Sequence, residues 1–532
     1  MRPLATRVLG FLAGAILLGG AVALLRGAAP GPARGGGERA LWFYQALSLT
    51  DDAAYARVAP LWRRAAAAGY SAVVLADARF ARLPAQGPAY FARAAELRAL
   101  AAALHLEIVP GVALVGRGNG ALLAMDPNLA EALPVREALF EVRGGIAMPV
   151  ADPPVTLAPR PDRADAGIAL TDTSARIPGG NEGRVTWTIA VAPWRLYHVS
   201  VRLRGEDFHG EPRLRVTGDG RELAFANVAP PRSGEPEVRD VMFDSQDCRS
   251  VTVGLSLSRR SAGALTWSGW RIEEAGPVNA IRRGPMRFRF EGLEEGRDFD
   301  AVTDPGLGTH GGAGAFDTWH VPPVIRVRRP DGTRLRASWW SAAVILHNQA
   351  SVCLSDTAAL SLTRDEIVRA RELFGARTMF LMHDEIRIMA QDSTCRATGL
   401  TPGRILAAHV RACTQAAAPA RVVVWNDMFD PAHNAVKDYY LVRGDLAGSW
   451  EGLAPAVEVA NWNSEHTEAS LKFFADRGHA QVWAGYYDTP PGAIRDVLPL
   501  LDRTPNVEAI MYTTWQDRYD DLEAFAKACR GR

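Results

Sequence analysis

Residues 363–385 read TRDEIVRARELFGARTMFLMHDE: a helix, a stop, a short apolar strand and then an abrupt group of ionisable side chains. Thr363 with Glu366 forms a capping box ahead of Ile367, Val368 and Leu373, and Gly375 supplies the stop. Thr378 to Met382 is short and continuously apolar, as a strand buried on both faces must be. A helix feeding such a strand is the repeating unit of a parallel α/β sheet. His383, Asp384 and Glu385 then fall at the carboxyl end of the strand.

The same rhythm extends in both directions. Before it, Leu41 to Leu47, Ser71 to Ala76 and Leu106 to Val112 are apolar runs separated by helical patterns around Tyr55 to Ala68 and Tyr90 to Leu104. After it come a helix opened by Thr401-Pro402, a strand at Arg421 to Val424, and strands at Ala456 to Ala460, Ala480 to Ala484 and Glu508 to Tyr512. Three early strands and five late ones make eight, and the expected class is α/β, a (β/α)8 TIM barrel.

The barrel is expected to be interrupted after its third strand. From about Gly116 to Leu346 helical periodicity vanishes, and segments such as Val185 to Val191, Leu196 to Leu203 and Val251 to Leu257 alternate like half-buried antiparallel strands between Gly, Pro and Asp turns. The expected domains are therefore 1–39 (leader or anchor plus tether), 40–115 (barrel strands 1–3), 116–278 (inserted β-sandwich), 279–344 (β-rich connection) and 345–532 (barrel strands 4–8). The two barrel pieces amount to about 260 residues, close to the ~250 of such a barrel. Gly116-Arg117-Gly118-Asn119-Gly120 has the wrong spacing for a phosphate-binding turn and reads as a loop.

Arg2 and Arg7 precede an uncharged run from Val8 to Leu25 that Arg26 closes. This is the layout of a signal peptide or a single anchor, so the chain is expected to be exported, periplasmic or extracellular, and to meet a membrane only through residues 8–25. With 60 Lys and Arg against 59 Asp and Glu, the net charge of +1 supplies no field for nucleic acid. The five cysteines are scattered singly, without the CxxC spacing of a zinc site, and no metal or cofactor is expected. An exported chain could pair two of them, Cys353 with Cys395 being one choice.

The other strand ends are loaded like the first. Strand 2 ends at Asp77, strand 5 at Trp425-Asn426-Asp427, strand 6 at Asn461-Trp462-Asn463, strand 7 at Tyr486-Tyr487-Asp488 and strand 8 at Trp515-Gln516-Asp517. Aromatic faces beside carboxylates and amides suit a sugar, whose C–H faces stack on rings while its hydroxyls take hydrogen bonds. Of the 14 Trp, Trp42, Trp62 and Trp339 read as packing residues. Trp187, Trp194, Trp267 and Trp270 of the inserted sandwich either fill its core or present a sugar platform. The adjacent Asp384 and Glu385 could serve a reaction in which the 2-acetamido oxygen of the substrate attacks. One carboxylate would orient the amide and the other would act as general acid.

The strand-4 pair, Val424-Trp425-Asn426-Asp427, Tyr486-Tyr487-Asp488 and Trp515-Gln516-Asp517 together resemble the family 20 glycoside hydrolases, the β-N-acetylhexosaminidases. The resemblance covers the barrel segments only, and the sandwich is similar to galactose-binding-like carbohydrate-binding modules. In the family the strand-4 motif is His-Xaa-Gly-Gly-Asp-Glu; here Met382-His383 stand in place of the glycines. The resemblance implies Asp384 as the acetamido orienter and Glu385 as the acid. It also implies Trp425, Trp462 and Trp515 as pocket tryptophans, Tyr486 or Tyr487 as the acetamido-binding tyrosine and Asp517 as the acidic residue after the last tryptophan; the strand ends themselves add Asp77, His383, Asp427 and Asp488 around a glycan substrate. Direct catalysis on other sugars by a pair such as Glu385 with Asp427 or Asp488, and glycan binding without turnover, are the competing expectations.

Overall fold

The computed structural model describes residues 39–531, apart from 119, 181, 230, 232–234, 309–315 and 347. The leader, anchor and tether expected over 1–39 lie outside the described residues except for Arg39; among those described, no helix is long and apolar enough to cross a membrane.

Eight parallel strands close into a barrel: β1 (Ala40–Ala46), β2 (Tyr70–Ala76), β3 (Glu107–Gly111), β4 (Thr378–Phe380), β5 (Arg421–Trp425), β6 (Glu458–Asn461), β7 (Gln481–Tyr486) and β8 (Val507–Thr513). β1 pairs with both β2 and β8, which closes the ring. The expected TIM class is nevertheless corrected. The chain is β-rich, with 34% strand against 26% helix, and shows no clear alternation of strand and helix. The break is plainest between β5 and β6. There the chain makes 3-10 turns at Asp427–Phe429 and Ser449–Gly452 and a two-residue strand, Leu441–Val442, but no α-helix. The segment is punctuated by Asp430-Pro431, Gly444, Gly448 and Gly452, which end local helical runs before they propagate.

The capping box is also corrected. The helix before β4 runs from Thr357 to Phe374, and its N-cap is Asp356, whose carboxylate accepts from the amides of Ala358 and Ala359. Thr363 and Glu366 therefore lie in mid-helix, buried, and burial pushes Glu366 up to about 8. Gly375 does stop the helix, at φ 58°.

Between β3 and β4 the chain builds two five-stranded antiparallel sheets from residues 163–274. Their inner faces share one core in which Val199, Val201, Leu203 and Trp267 meet Leu214, Val216, Val253 and Leu255. Three of the four sandwich tryptophans are consumed inside it. The Trp187 and Trp270 rings meet at 4.8 Å, tilted by 57°, and both indole N–H groups donate to the carbonyl of Ala158. Trp267 is fully buried. Trp194 instead faces cations, under Arg136 at 4.3 Å and Arg443 at 5.5 Å. A third five-stranded sheet draws on both flanks of the sandwich, pairing Ala132–Arg143 with Arg334–Ala342.

Candidate functional site

Strand alternation sends Trp42 and Tyr44 of β1 and Trp425 of β5 into the barrel, where they pack with Phe380 and Met382. At the carboxyl ends the rings become a continuous bowl. Trp515 lies 5.2 Å from Tyr44, 6.4 Å from Trp425 and 6.3 Å from Tyr487, and Tyr487 lies 6.5 Å from Trp462. Trp515 is 56% exposed although it touches three other rings, which is where a ligand would meet it. Substituting Trp515→Ala should weaken glycan binding by about 1–3 kcal/mol, the worth of an aromatic stacking platform, without lowering the unfolding midpoint. Calorimetric titration with an oligosaccharide beside a denaturation curve checks both.

The acids sit at the β4 and β5 ends. The turn after β4 runs through left-handed backbone at Met382 (φ 40°), His383 (φ 68°) and Glu385 (φ 48°). Two of these positions are those at which the family 20 motif has glycine, so this chain holds side-chain-bearing residues in a conformation glycine adopts without cost. The loop after β3 braces the turn. Gly116 (φ 72°) packs so closely that a Cβ there would fall 1.9 Å from the Asp384 carbonyl oxygen, and the Arg117 amide donates to that oxygen at 3.3 Å. Asp427 braces it from β5, where its Oδ2 accepts from the Glu385 amide at 2.8 Å and from Asn434 at 2.9 Å.

The three carboxyl groups differ in surroundings. Burial and the neighbouring Glu385 push Asp384 up to about 7. Burial and Asp384 push Asp427 up to about 8, and its Oδ1 is buried without a hydrogen-bond partner. Both carboxyl groups thus give up their protons less readily than an exposed aspartate. Glu385 instead spends both oxygens on cations: Oε1 lies 2.7 Å from Arg387 and Oε2 lies 3.5 Å from Arg117. Arg387 is fixed in turn by Gln349 at 2.6 Å and by the Tyr440 ring. Burial drives the Tyr487 phenol strongly upward, as do the charges of Asp384, Asp427 and Glu385, which places it beside all three.

The other expected site residues distribute as follows. Asp488 accepts from Thr514 Oγ1 and the Trp515 amide, so it ties the β7 end to the β8 end. Asp517 is exposed, and its charge acts on Tyr44. Tyr486 turns away from the bowl, stacking on Tyr512 at 4.0 Å and donating to Asp521. His383 also turns away: it is fully buried, bonds the Leu381 carbonyl and His409, and burial lowers it to about 4. Asp77 spends its oxygens on the amides of Leu49 and Arg79 and on the Tyr90 hydroxyl. Asp77→Ala should therefore cost about 1–3 kcal/mol of stability in a denaturant titration and leave glycan affinity unchanged.

Tyr44, Arg117, Gly116 and Arg387 belong to the site but escaped the sequence reading. Tyr44 had a signal, being two residues from Trp42 on the inward face of β1. The others sit on loops whose approach to the acids depends on tertiary packing.

Two groups of metal-ligand side chains occur among the described residues, both buried: His383, His409 and Cys413; and Glu131, Cys353, Asp392 and Cys395. The first satisfies itself, since the His383 and His409 rings bond one another at 3.2 Å and Cys413 lies 3.6 Å from His409.

No known family profile matches the chain, and no curated protein does. Among solved structures, a family 20 exo-β-N-acetylglucosaminidase from Vibrio harveyi is similar at 12% identity over 34% of this chain and 33% of its own, with a TM-score of 0.26. A Flavobacterium johnsoniae chitobiase is similar at 10% identity over 34% and 30%, with a TM-score of 0.25. A carbohydrate-binding module of Cellvibrio mixtus lichenase 5A, solved with cellotriose, is similar at 14% identity over 23% of this chain and 98% of its own, with a TM-score of 0.19. The chain thus spans about a third of each of the two enzymes.

Proposed function

We propose that the chain is a glycoside hydrolase that cleaves N-acetylhexosamine-containing glycans with help from the acetamido group of the substrate. The observation that carries the reading is the adjacent Asp384–Glu385 pair, one member pushed up to about 7 and the other paired with Arg387 and Arg117, with the charges of both acting on Tyr487 of the aromatic bowl. Trp425, Trp462 and Trp515 offer faces for a pyranose ring, and the Tyr487 hydroxyl beside the acids offers a donor for an amide oxygen.

The electrostatics favour the reverse of the roles that the family resemblance implies. A general acid must carry a proton at working pH, and the push of Asp384 up to about 7 by burial and Glu385 suits it to that role. Glu385 is the carboxyl that faces guanidinium groups, with Oε1 2.7 Å from Arg387 and Oε2 3.5 Å from Arg117. It suits the anionic role of steadying the substrate amide N–H as positive charge develops. Asp427 lies beneath the turn with no exposed surface, so it acts through the Glu385 backbone rather than on the sugar.

The test is a panel of aryl N-acetylglucosaminide, N-acetylgalactosaminide, glucoside and galactoside, with an acetamido-thiazoline as inhibitor. Cleavage confined to the acetamido sugars and blocked by the thiazoline is expected. Turnover of the plain hexosides that ignores the thiazoline would replace this reading with direct carboxylate catalysis.

A further inference from the structure

The cluster of Glu131, Cys353, Asp392 and Cys395 lies outside the barrel mouth and has no part in the proposed reaction. Cys353 and Cys395 are both fully buried, with sulfurs 3.5 Å apart. Their backbones are pinned, the Cys353 amide to the Leu129 carbonyl at 2.9 Å and the Cys395 amide to Asp392 Oδ1 at 2.8 Å. The pair is set apart from the other cysteines: Cys413 sits against His409, and Cys248 lies 3.5 Å from Arg221.

We propose that Cys353 and Cys395 form a disulfide that clasps the acid-bearing segment. The two cysteines are 42 positions apart, and the interval contains the helix Thr357–Phe374, strand β4 and the whole Asp384–Glu385–Arg387 turn. A cross-link at its two ends removes freedom from the unfolded chain and holds the strained turn from both sides.

The surroundings position the pair. Cys395 Sγ donates to Glu131 Oε2 at 3.4 Å, and Glu131 Oε1 accepts from the Asp392 amide at 2.8 Å, so the Cys395 side chain is held in place beside Cys353. The hydrogen bond with Cys353 lowers the Cys395 thiol and raises its partner, which marks the two sulfurs as one interacting unit. During folding, the Cys395 thiolate attacks a disulfide oxidant RSSR, forming a mixed disulfide and releasing RS⁻. The Cys353 thiolate then attacks the Cys395 sulfur and expels the second RS⁻. Two protein thiols lose two protons and two electrons, and RSSR is reduced to two RSH.

A bound divalent metal is the rival use of the same atoms. The Arg283 guanidinium argues against it, because it pairs with Asp392 and lies 3.5 Å from Asp356, which puts a cation where a metal would need an uncompensated anionic shell.

The test is to refold the full chain in a glutathione redox buffer, unfold it in guanidinium with iodoacetamide and weigh it, then reduce it, alkylate it again and weigh it a second time. Three adducts before reduction and five after are expected, with one peptide pair joined through Cys353 and Cys395. Reduction should lower the melting temperature by about 4 °C in wild type but not in the C353S/C395S double variant. Five adducts under every condition, a link through any other cysteine, or one zinc per chain with five free thiols would overturn the proposal.

Discussion

Asp384→Asn is expected to slow hydrolysis of an alkyl N-acetylhexosaminide by about 10²–10⁴-fold while leaving a dinitrophenyl N-acetylhexosaminide nearly untouched. An alkoxide cannot depart unprotonated, whereas a dinitrophenolate needs little help, so the loss of a proton donor shows only with the poor leaving group. Glu385→Gln should depress both substrates alike, because the developing charge on the acetamido group must be stabilised whichever leaving group departs. The wild-type rate on the alkyl substrate should fall as pH rises through about 7, where Asp384 gives up its proton, and the dinitrophenyl rate should lack that limb. If Glu385→Gln is the variant whose loss depends on the leaving group, the roles are those of the family 20 pattern and the electrostatic assignment fails.

Much of the barrel was legible because each strand is buried on both faces and shows as an apolar run, whatever its neighbours. The β5 to β6 connection was not read as an exception, because the absence of a helix leaves no positive mark. At residues 356–366 two local signals competed. Thr363-Arg-Asp-Glu366 has the form of a capping box, but Asp356 caps the helix earlier and the box is carried into the interior. The strand ends were legible as positions and not as directions. A left-handed turn at Met382 and His383 reverses where the next side chain points, so sequence alone could not tell that His383 would face His409 while Asp384 came under the charges of Arg117 and Arg387. The same holds for Tyr486 and Tyr487, adjacent in sequence and opposite in orientation. The sandwich tryptophans admit two readings; the Ala158 carbonyl, bonded by both Trp187 and Trp270, decides for the core at those two, whereas Trp194 lies outside that core against Arg136 and Arg443.

Asp427→Asn should flatten the dependence of stability on pH. In the folded chain Asp427 is raised from 3.8 to about 8, so between those values the native state keeps a proton that the unfolded state has released. Stability from this group is therefore complete below about pH 4, declines as pH rises through the window and is gone above about 8, a loss on the order of a few kcal/mol. Asparagine is neutral throughout and retains an oxygen for the Glu385 amide and for Asn434, so the variant keeps the brace and loses the titration. Glu366 and Asp244, each raised by burial to about 8, leave a residual slope of the same sign in both proteins. The measurement is the urea midpoint of wild type and variant from pH 4 to 9. Wild type should weaken more steeply, so that the variant gains on it as pH rises. Parallel curves would mean that Asp427 is ionised in the native state, with its charge met by a partner. In that case Asp384 would lie beside a fixed anion, which would strengthen its hold on its own proton.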